Sequence, residues 1–346
     1  MTKVIVLATS RQTRGGITSV IKAHQKGKQW KKYRCKWIET HIDKGVLWKL
    51  FYLWKALCTY SLFLPFYDIV HIHISEPPSA FRKSLFILWA KIWRKKIIIH
   101  FHSFSPDTTI NSDYRYIYKY LFSMADKVVV LSEYWKEIVN SVFNLDTKLQ
   151  IIYNPCICEI SPAAYILKKQ ILYAGTVNRR KGYVDLINAF SIIATQYPDW
   201  QLVFAGNGDI EQGKRLATSL GLERQVLFLG WITGETKDRV FKESAIFCLP
   251  SYAEGFPMAV LDAWAYGLPV ITTPVGGIPD IAKDGKNLLL IKPGDVNGMA
   301  LQIKRIIDDK TLRVNISRES YYLSHSIFNI DTINRQIEDL YTALME

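Results

Sequence analysis

The sequence predicts an α/β protein made of two Rossmann-like, doubly wound domains. A chain of 346 residues is long for one hydrophobic core and suits two domains of ordinary size. Short β-branched runs alternate with segments of helical spacing in both halves, which favours parallel sheets. Between the halves, the stretch from Asn154-Pro155 to Pro162 interrupts the periodicity and indicates a linker. We therefore expect domains over residues 1–160 and 161–325, followed by a C-terminal helix over residues 326–346.

Short apolar runs bounded by turn residues predict the individual strands. In the first domain the runs are Lys3–Ala8, Tyr33–Glu39, Asp68–Ile74, Lys96–His102, Lys127–Leu131 and Leu149–Tyr153. In the second domain they lie near Ile171, Leu202, Val226, Ile246, Val270 and Leu288. Helical spacing follows the Gly15-Gly16 pair as far as Gln29 and returns from Ile327 to Leu344.

Composition indicates a globular protein without secretory features. Hydrophobic residues make up 49% of the chain and charged residues 22%. The cysteines are odd in number and lack the paired spacing of a zinc site, so they are expected to be free thiols: Cys35, Cys58, Cys156, Cys158 and Cys248. The apolar run Val4–Ala8 is too short for the core of a signal peptide. We expect the protein to stay in the cytoplasm.

The net charge of +13 is concentrated in the N-terminal half. Residues 1–160 contain 24 Lys and Arg against 11 Asp and Glu, whereas residues 161–346 contain 20 of each class. Such asymmetry favours an anionic partner, either nucleic acid or a membrane surface, with general solubility as the alternative. The aromatic residues of the basic half lie in apolar runs and are not interleaved with its lysines, which argues against nucleic acid.

An apolar and aromatic stretch runs from Val46 to Phe66. Lys49 and Lys55 interrupt it and Pro65 ends it, so the uninterrupted segment is shorter than the ~20 residues of a membrane-spanning helix. Two interpretations remain open. The stretch is either a core helix whose outer aromatic and lysine side chains rest in a membrane interface, or a helix buried on all sides.

The block between Ala245 and Gly285 carries the clearest functional pattern of the sequence. Two predicted strands, near Ile246 and Val270, enclose one helix, which we expect to carry Pro257 in its first turn. Glu254 precedes this helix and Asp262 lies within it. The free amides of the first turn favour a phosphate, and the two acids could accept hydrogen bonds from hydroxyls on either side of it. A nucleotide sugar has that layout; the alternative is that both acids are simply solvated.

Three other segments carry candidate residues. Gly15 and Gly16 form either a ligand-approaching loop or a plain tight turn. The loop from Ala174 to Gly182 contains three cations and opens a helix, unless it is a solvated basic turn. Histidines end two strands, but successive strand residues are divided between the two faces and no acid lies at a known ligand spacing: His71, His73, His100 and His102. We therefore predict no metal site.

The segment EGFPMAVLDAWAYGLPVI resembles the E-x7-E block of the retaining family-four glycosyltransferases of the GT-B fold. In that fold two Rossmann-like domains face each other across a cleft, and the C-terminal helix crosses back to the first domain. The resemblance places Glu254, Gly255, Phe256 and Pro257 at the donor sugar. Asp262 stands where the family usually has Glu, one methylene longer.

The resemblance extends to the other loops. Residues 174–182 are similar to the family's G-R-x4-K-G loop, in which Lys181 matches the lysine that meets the diphosphate. Thr176 stands where the family usually has Arg, and either Arg179 or Arg180 could replace it. IIIHFHSF is similar to the segment with the active-site histidine, at which His102 matches better than His100. The remaining donor-binding candidates are Gly15, Gly16, Asn178, Gly206, Trp231 and Ile232.

This resemblance implies a bacterial glycosyltransferase that acts in polysaccharide or glycolipid synthesis. It would move a hexose-type sugar, with retention, from a nucleotide-diphosphate donor to a hydroxyl of a saccharide or lipid-linked saccharide. The donor would be UDP-linked rather than GDP-linked, no metal would be needed, and His102, Glu254 and Lys181 would be the catalytic residues. The basic domain would hold the enzyme on the inner, anionic face of the cell membrane. A nucleotide-sugar epimerase of the same architecture and an inactive sugar-binding homologue are the alternatives.

Overall fold

The computed structural model describes residues 2–157 and 168–346. It forms two compact units, one of Met1–Pro155 together with Ile330–Glu346 and the other of Cys156–Asn329. The boundary expected at residue 160 lies outside the described residues, as do Cys158 and Pro162. Each unit contains one six-stranded sheet in which every recorded strand pair is parallel.

The sheet of the first unit has the strand order β2-β1-β3-β4-β5-β6. Its strands are β1 (Val4–Ala8), β2 (Lys36–Glu39), β3 (Ile69–Ile74), β4 (Lys96–Phe101), β5 (Lys127–Val130) and β6 (Leu149–Ile151). Its helices are α1 (Gly16–Lys26), α2 (Lys28–Lys32), α3 (Val46–Phe63), α4 (Pro77–Ile92), α5 (Arg115–Met124), α6 (Glu133–Phe143) and the C-terminal α13 (Ile330–Ala343). The helix expected to end near Gln29 is thus divided at Gly27, where the backbone is extended.

Two hydrophobic clusters cover the two faces of this sheet. Alternate residues of the central strands supply one face each, as the β-branched runs predict, so Val70 and Ile72 belong to one cluster and Ile69 to the other. The second cluster is completed by α13, through apolar side chains such as Ile333 and Ile337. The last segment of the chain therefore covers a face of the first sheet.

The sheet of the second unit has the order β12-β11-β10-β7-β8-β9. Its strands are β7 (Gln170–Ala174), β8 (Gln201–Ala205), β9 (Val226–Gly230), β10 (Ile246–Leu249), β11 (Val270–Thr272) and β12 (Leu289–Leu290). Its helices are α7 (Tyr183–Ile193), α8 (Ile210–Ser219), α9 (Gly234–Glu243), α10 (Met258–Ala265), α11 (Val296–Asp308) and α12 (Lys310–His325). Strand order reverses between β7 and β10, and in a doubly wound sheet ligands bind beyond the carboxyl ends of the strands at that point.

Helix α3 lies at the surface of the first unit. Ala56 and Tyr60 are buried, but Leu47 is 82% exposed and Trp54 63%. The interpretation that this helix is buried on all sides is therefore wrong. Among the described residues, no helix combines the length and apolar character that crossing a membrane requires.

Candidate active site

Two loops meet where the strand order of the second sheet reverses. One follows β7 and ends in α7; the other follows β10 and ends in α10. The Tyr252 amide donates to the Arg180 carbonyl oxygen over 2.7 Å, and Lys181 Nζ lies 2.6 Å from Glu254 Oε1. The loop predicted to carry cations and the loop predicted to carry the acid are thus joined by a backbone hydrogen bond and an ion pair.

Glycines allow this close approach. Gly182 has a φ of 72°, and a Cβ there would collide with the Pro250 carbonyl oxygen of the facing loop. Gly276, with a φ of 59°, lies directly against the carbonyl oxygens of Glu254 and Gly255. A side chain at either position would push the two loops apart or displace the backbone that carries Glu254.

Glu254 is a buried carboxylate, 8% exposed. Its Oε1 accepts hydrogen bonds from Lys181 and, over 2.8 Å, from Ser251 Oγ, while Arg180 Nη1 lies 3.6 Å from Oε2. Burial raises the pKa of Glu254, but the charges of Lys181 and Arg180 and the two hydrogen bonds together lower it below its ordinary value. The alternative of a solvated loop acid is therefore wrong, and the carboxylate stays ionised.

Arg180 and Arg179 differ in where their side chains lie. The Arg180 guanidinium donates to the Ala253 carbonyl oxygen and lies beside Glu254, whereas Arg179 is exposed. Thr176 is also exposed, and Asn178 caps the short turn that follows by accepting from the Lys181 amide over 3.0 Å. Of the two arginines that the sequence left open, Arg180 is the one at the acid.

The second acid of the block is paired as well. Asp262 Oδ2 lies 2.7 Å from Lys237 Nζ, which α9 supplies. Sequence reasoning missed Lys237, because no local pattern links it to a residue on a different helix. Pro257 directly precedes α10 and does not form its first turn, and no side chain caps this amino end.

The other donor-binding candidates of the second unit occupy three positions. Gly206, after β8, lies against the Gly175 carbonyl oxygen. Phe256 is buried with its ring centroid 5.2 Å from that of Phe328, so its side chain belongs to the core. Trp231 and Ile232 follow β9, two strands from β7, and Trp231 is 39% exposed. Gly206 and Trp231 thus lie at the carboxyl edge of the sheet, and Trp231 is farther than Gly206 from Glu254 in strand order.

In the first unit, Gly15 and Gly16 follow β1, next to the point where the strand order reverses. Gly15 has a φ of 154° and precedes α1, and both glycines are exposed. No side chain caps this helix, so its first amides are available to a ligand.

All four strand histidines lie on one face of the first sheet. His73 pairs in register with His100; His71 lies two residues before His73, and His102 lies two residues after His100, just beyond β4. The expectation that the two faces divide them is wrong, because residues two apart on a strand share a face. The spacing His-x-His was the available signal.

The ligand atoms of His71, His73 and His100 lie within 4.8 Å of one another, a group that could hold a metal ion. Their rings, however, are nearly parallel, with interplanar angles of 6° to 26°. Lone pairs of imidazole nitrogens lie in the ring planes, so parallel rings do not direct them at a common point. Metal coordination would require these rings to turn.

His102 differs from the other three because it is only half-buried. Its Nε2 lies 2.8 Å from His73 Nδ1. Burial, with Lys83 and other histidines nearby, lowers the pKa of His102 to about 3. Lys83 is itself fully buried and donates to the His73 carbonyl oxygen and to Ser79 Oγ.

Both halves of the chain match glycosyltransferase families. The profile described as Glycosyltransferase Family 4 matches residues 12–159, and the profile described as Glycosyl transferases group 1 matches residues 164–322. The chain belongs to the family-four glycosyltransferases of the GT-B fold. One profile ends and the other begins near the predicted linker, so between them they match residues of both sheets of this glycosyltransferase.

Relatives and solved structures agree with this assignment. An uncharacterized glycosyltransferase of Methanocaldococcus jannaschii is 29% identical over 64% of this chain and 60% of its own length. A UDP-Gal:alpha-D-GlcNAc-diphosphoundecaprenol alpha-1,3-galactosyltransferase of Escherichia coli is 28% identical over 81% of this chain and 76% of its own. HepE of Anabaena, crystallised with UDP, superposes with a TM-score of 0.78 at 17% identity, covering 99% of this chain and 100% of that one. Such a likeness establishes the GT-B fold. This glycosyltransferase spans 60% and 65% of the lengths of two matched relatives.

Proposed function

We propose that the protein transfers a hexose-type sugar from a UDP-sugar to a hydroxyl of a saccharide or lipid-linked saccharide, with retention at the anomeric carbon. The observation that carries the proposal is the buried Glu254 with Lys181 and Arg180 where the strand order of the second sheet reverses. The second unit would bind the donor, and the first would carry His102 and bind the acceptor.

The charges of this group suit a departing nucleoside diphosphate. Two cations face one carboxylate, so a positive charge remains for the diphosphate, whose negative charge grows as the sugar leaves. Glu254 holds Lys181 in place, and its Oε2 retains capacity to accept hydrogen bonds from sugar hydroxyls. We assign Glu254 to positioning of the sugar and Lys181 to stabilisation of the leaving group, with no metal ion required.

Two sets of comparisons support UDP as the donor nucleotide. Anabaena HepE was crystallised with UDP-glucose, and the similar enzyme of Escherichia coli is named for a UDP-galactose donor. The latter acts on a diphosphoundecaprenol-linked sugar, according to its name. We therefore propose a lipid-linked saccharide as the acceptor, in the synthesis of a cell-surface polysaccharide or glycolipid.

A lipid-linked acceptor requires contact with a membrane, and α3 and α4 offer the surface for it. Neither helix contains Asp or Glu, and Lys49, Lys55 and Lys91 are exposed on them. The exposed apolar side chains of this α3–α4 surface are Val46, Leu47, Trp48, Leu50, Phe51, Trp54, Leu62, Phe81, Leu85, Leu88, Trp89 and Ile92. We propose that it rests on the anionic inner face of the cell membrane.

The test is a panel of nucleotide sugars, measured for nucleotide release with and without saccharide acceptors. We expect release of UDP that depends on an acceptor and persists in EDTA, and its loss in Lys181→Ala. Conversion of the UDP-sugar to its epimer without an acceptor would instead indicate an epimerase. Binding of UDP-sugar without turnover on any acceptor would indicate an inactive sugar-binding homologue, and inactivation by EDTA would refute metal independence.

A further inference from the structure

We propose that His73 is a positioning residue, which holds the imidazole of His102 in one orientation and one tautomer. The inference rests on the proposed function, in which His102 acts at the transferred sugar. It concerns a hydrogen bond between two imidazoles, His73 Nδ1 and His102 Nε2, 2.8 Å apart. His73 is 1% exposed, so it reaches a substrate only through His102.

Both imidazoles are neutral, so the hydrogen bond between them links the tautomer of one ring to that of the other. Burial lowers the pKa of both rings, so each carries one N–H and one lone pair near neutral pH. In the pair, one nitrogen must donate and the other accept. If Nε2 of His102 donates, Nδ1 of the same ring has the lone pair and can accept. If Nε2 accepts, Nδ1 has the hydrogen and can donate. The bond therefore couples the two rings, so that the tautomer of the packed His73 decides whether the half-buried ring offers a donor or an acceptor at its other nitrogen.

His73 itself cannot turn easily. Its ring centroid lies 4.6 Å from that of His71 and 4.8 Å from that of His100, with the rings nearly parallel. Its carbonyl oxygen accepts a hydrogen bond from Nζ of the buried Lys83 side chain. Close packing against these two neighbouring rings restricts rotation about its side-chain bonds.

A second imidazole pair supports this stack. His71 Nε2 lies 3.3 Å from His100 Nδ1, and His71 Nδ1 lies 2.7 Å from the Tyr341 hydroxyl of α13. Burial raises the pKa of Tyr341, so its hydroxyl keeps its proton. The stack is thus anchored at a tyrosine on the C-terminal helix, at the opposite end from His102.

Hydrogen bonds to Glu76 hold the loop that follows β4. Glu76, which precedes α4, accepts from Ser103 Oγ over 2.9 Å and from the Phe104 amide over 3.3 Å. These contacts hold the backbone next to His102, whereas His73 holds its ring. Backbone and ring are therefore positioned by separate residues, and the contribution of His73 can be removed alone.

His73→Phe and His73→Asn form the test pair. Phe keeps a flat ring in the stack but removes the hydrogen bond; Asn retains a polar atom near the position of Nδ1. We expect His73→Phe to lower kcat on the order of 10- to 100-fold with little change in the donor KM, as for a misoriented catalytic group. His73→Asn should recover part of the loss. His100→Phe is the matched control, since His100 is equally buried and stacks on His102 at 4.3 Å without a recorded hydrogen bond to it.

A second readout does not depend on activity. Imidazole nitrogen resonances of the full chain, labelled with 15N-histidine, distinguish N–H from lone-pair nitrogens, and His102→Asn identifies the signals of His102. We expect one tautomer of His102 in the wild type and in His100→Phe, and a mixture in His73→Phe. Mixed tautomers in the wild type, or equal kcat losses in the two Phe variants, would overturn the positioning role. Absence of sugar transfer by a wild type with one His102 tautomer would instead overturn the proposed function.

Discussion

Glu254 has a role in the stability of the fold as well as its proposed role in the chemistry. It holds Lys181 and approaches Arg180, and its own burial makes those cations necessary. Removing its charge should therefore affect stability as well as chemistry. An acid at the surface would have affected chemistry alone.

We predict that Glu254→Gln lowers turnover roughly ten- to a hundredfold for each charged hydrogen bond to the sugar that is lost. It should also lower the free energy of unfolding by about 1–3 kcal/mol, because Lys181 is left without its carboxylate. Steady-state kinetics and urea unfolding measure the two effects. Glu243→Gln is the control, since the Glu243–Lys168 pair lies more exposed in the same unit. Turnover above half of the wild-type rate would contradict the role of Glu254.

Arg180 provides a second prediction at this scale. Arg180→Ala should weaken UDP binding about ten- to a hundredfold, the effect of losing a charge-assisted hydrogen bond, while Arg179→Ala should change it little. We expect this difference between the variants because Arg180 lies beside Glu254, whereas Arg179 is exposed. Titration calorimetry with UDP and with UMP measures the nucleotide affinity of each variant. Equal losses in the two variants would contradict the assignment of Arg180, and unchanged affinity in both would mean that neither arginine replaces the one missing at Thr176.

At the scale of elements, sequence periodicity predicted the strands well because each is a local apolar run. β1, β3 and β4 lie within one residue of their expected ends, and α10 lies between β10 and β11 as expected. Such local patterns do not predict contacts between residues that are far apart in the sequence. The Lys181–Glu254 pair spans 73 positions and the His73–His102 pair 29, so neither leaves a local pattern. The family resemblance located Lys181, Glu254 and His102 individually, but not the pairs.

Helix α3 is predicted to bind membranes through its exposed side chains. Replacing Trp48, Phe51 and Trp54 by Ser should reduce sedimentation of the full chain with anionic liposomes, because burial of these apolar side chains drives interfacial insertion. High salt should reduce it further, since each nearby Lys or Arg contributes about 1 kcal/mol that salt screens.

The control variant replaces Leu301 and Val314, which are 69% and 55% exposed on α11 and α12 of the other unit. It should sediment as the wild type does. Equal binding to neutral and anionic liposomes would refute the electrostatic part of the proposal. A concentration-dependent dimer that the α3 variant abolishes would identify a second copy of the chain as the partner of this surface.

For the whole molecule, we predict that acid unfolds the first unit before the second. Six of the seven histidines belong to the first unit, and burial lowers the pKa of His71 to about 3 and those of His73 and His100 well below 6.5. Unfolded histidines take up protons below about pH 6.5, but these folded ones do not. Their stabilising contribution is complete above that pH and falls with acidification, by up to about 1.4 kcal/mol per pH unit for each histidine.

The pKa of Glu254 is also lowered, so its contribution is present above about 4.5 and lost below it. Between pH 6.5 and 4.5 only the first unit should therefore lose stability. Hydrogen exchange in pulses at one fixed pH, after incubation at each test pH, should detect loss of protection in β3 and β4 before β7 and β10. His100→Phe should reduce this acid sensitivity. Loss of protection in the second unit first, or in both together, would contradict the prediction.

The C-terminal helix has a consequence for biosynthesis. Ile333, Ile337 and Tyr341 of α13 cover a face of the sheet formed by residues of the first half, and Asn334 binds His24 there. A ribosome delivers α13 only after all of Cys156–Asn329 has been made. This face of the nascent first sheet, which bears the histidines, therefore lacks part of its cover until the second unit has been synthesised. The unit that begins first in translation is completed last.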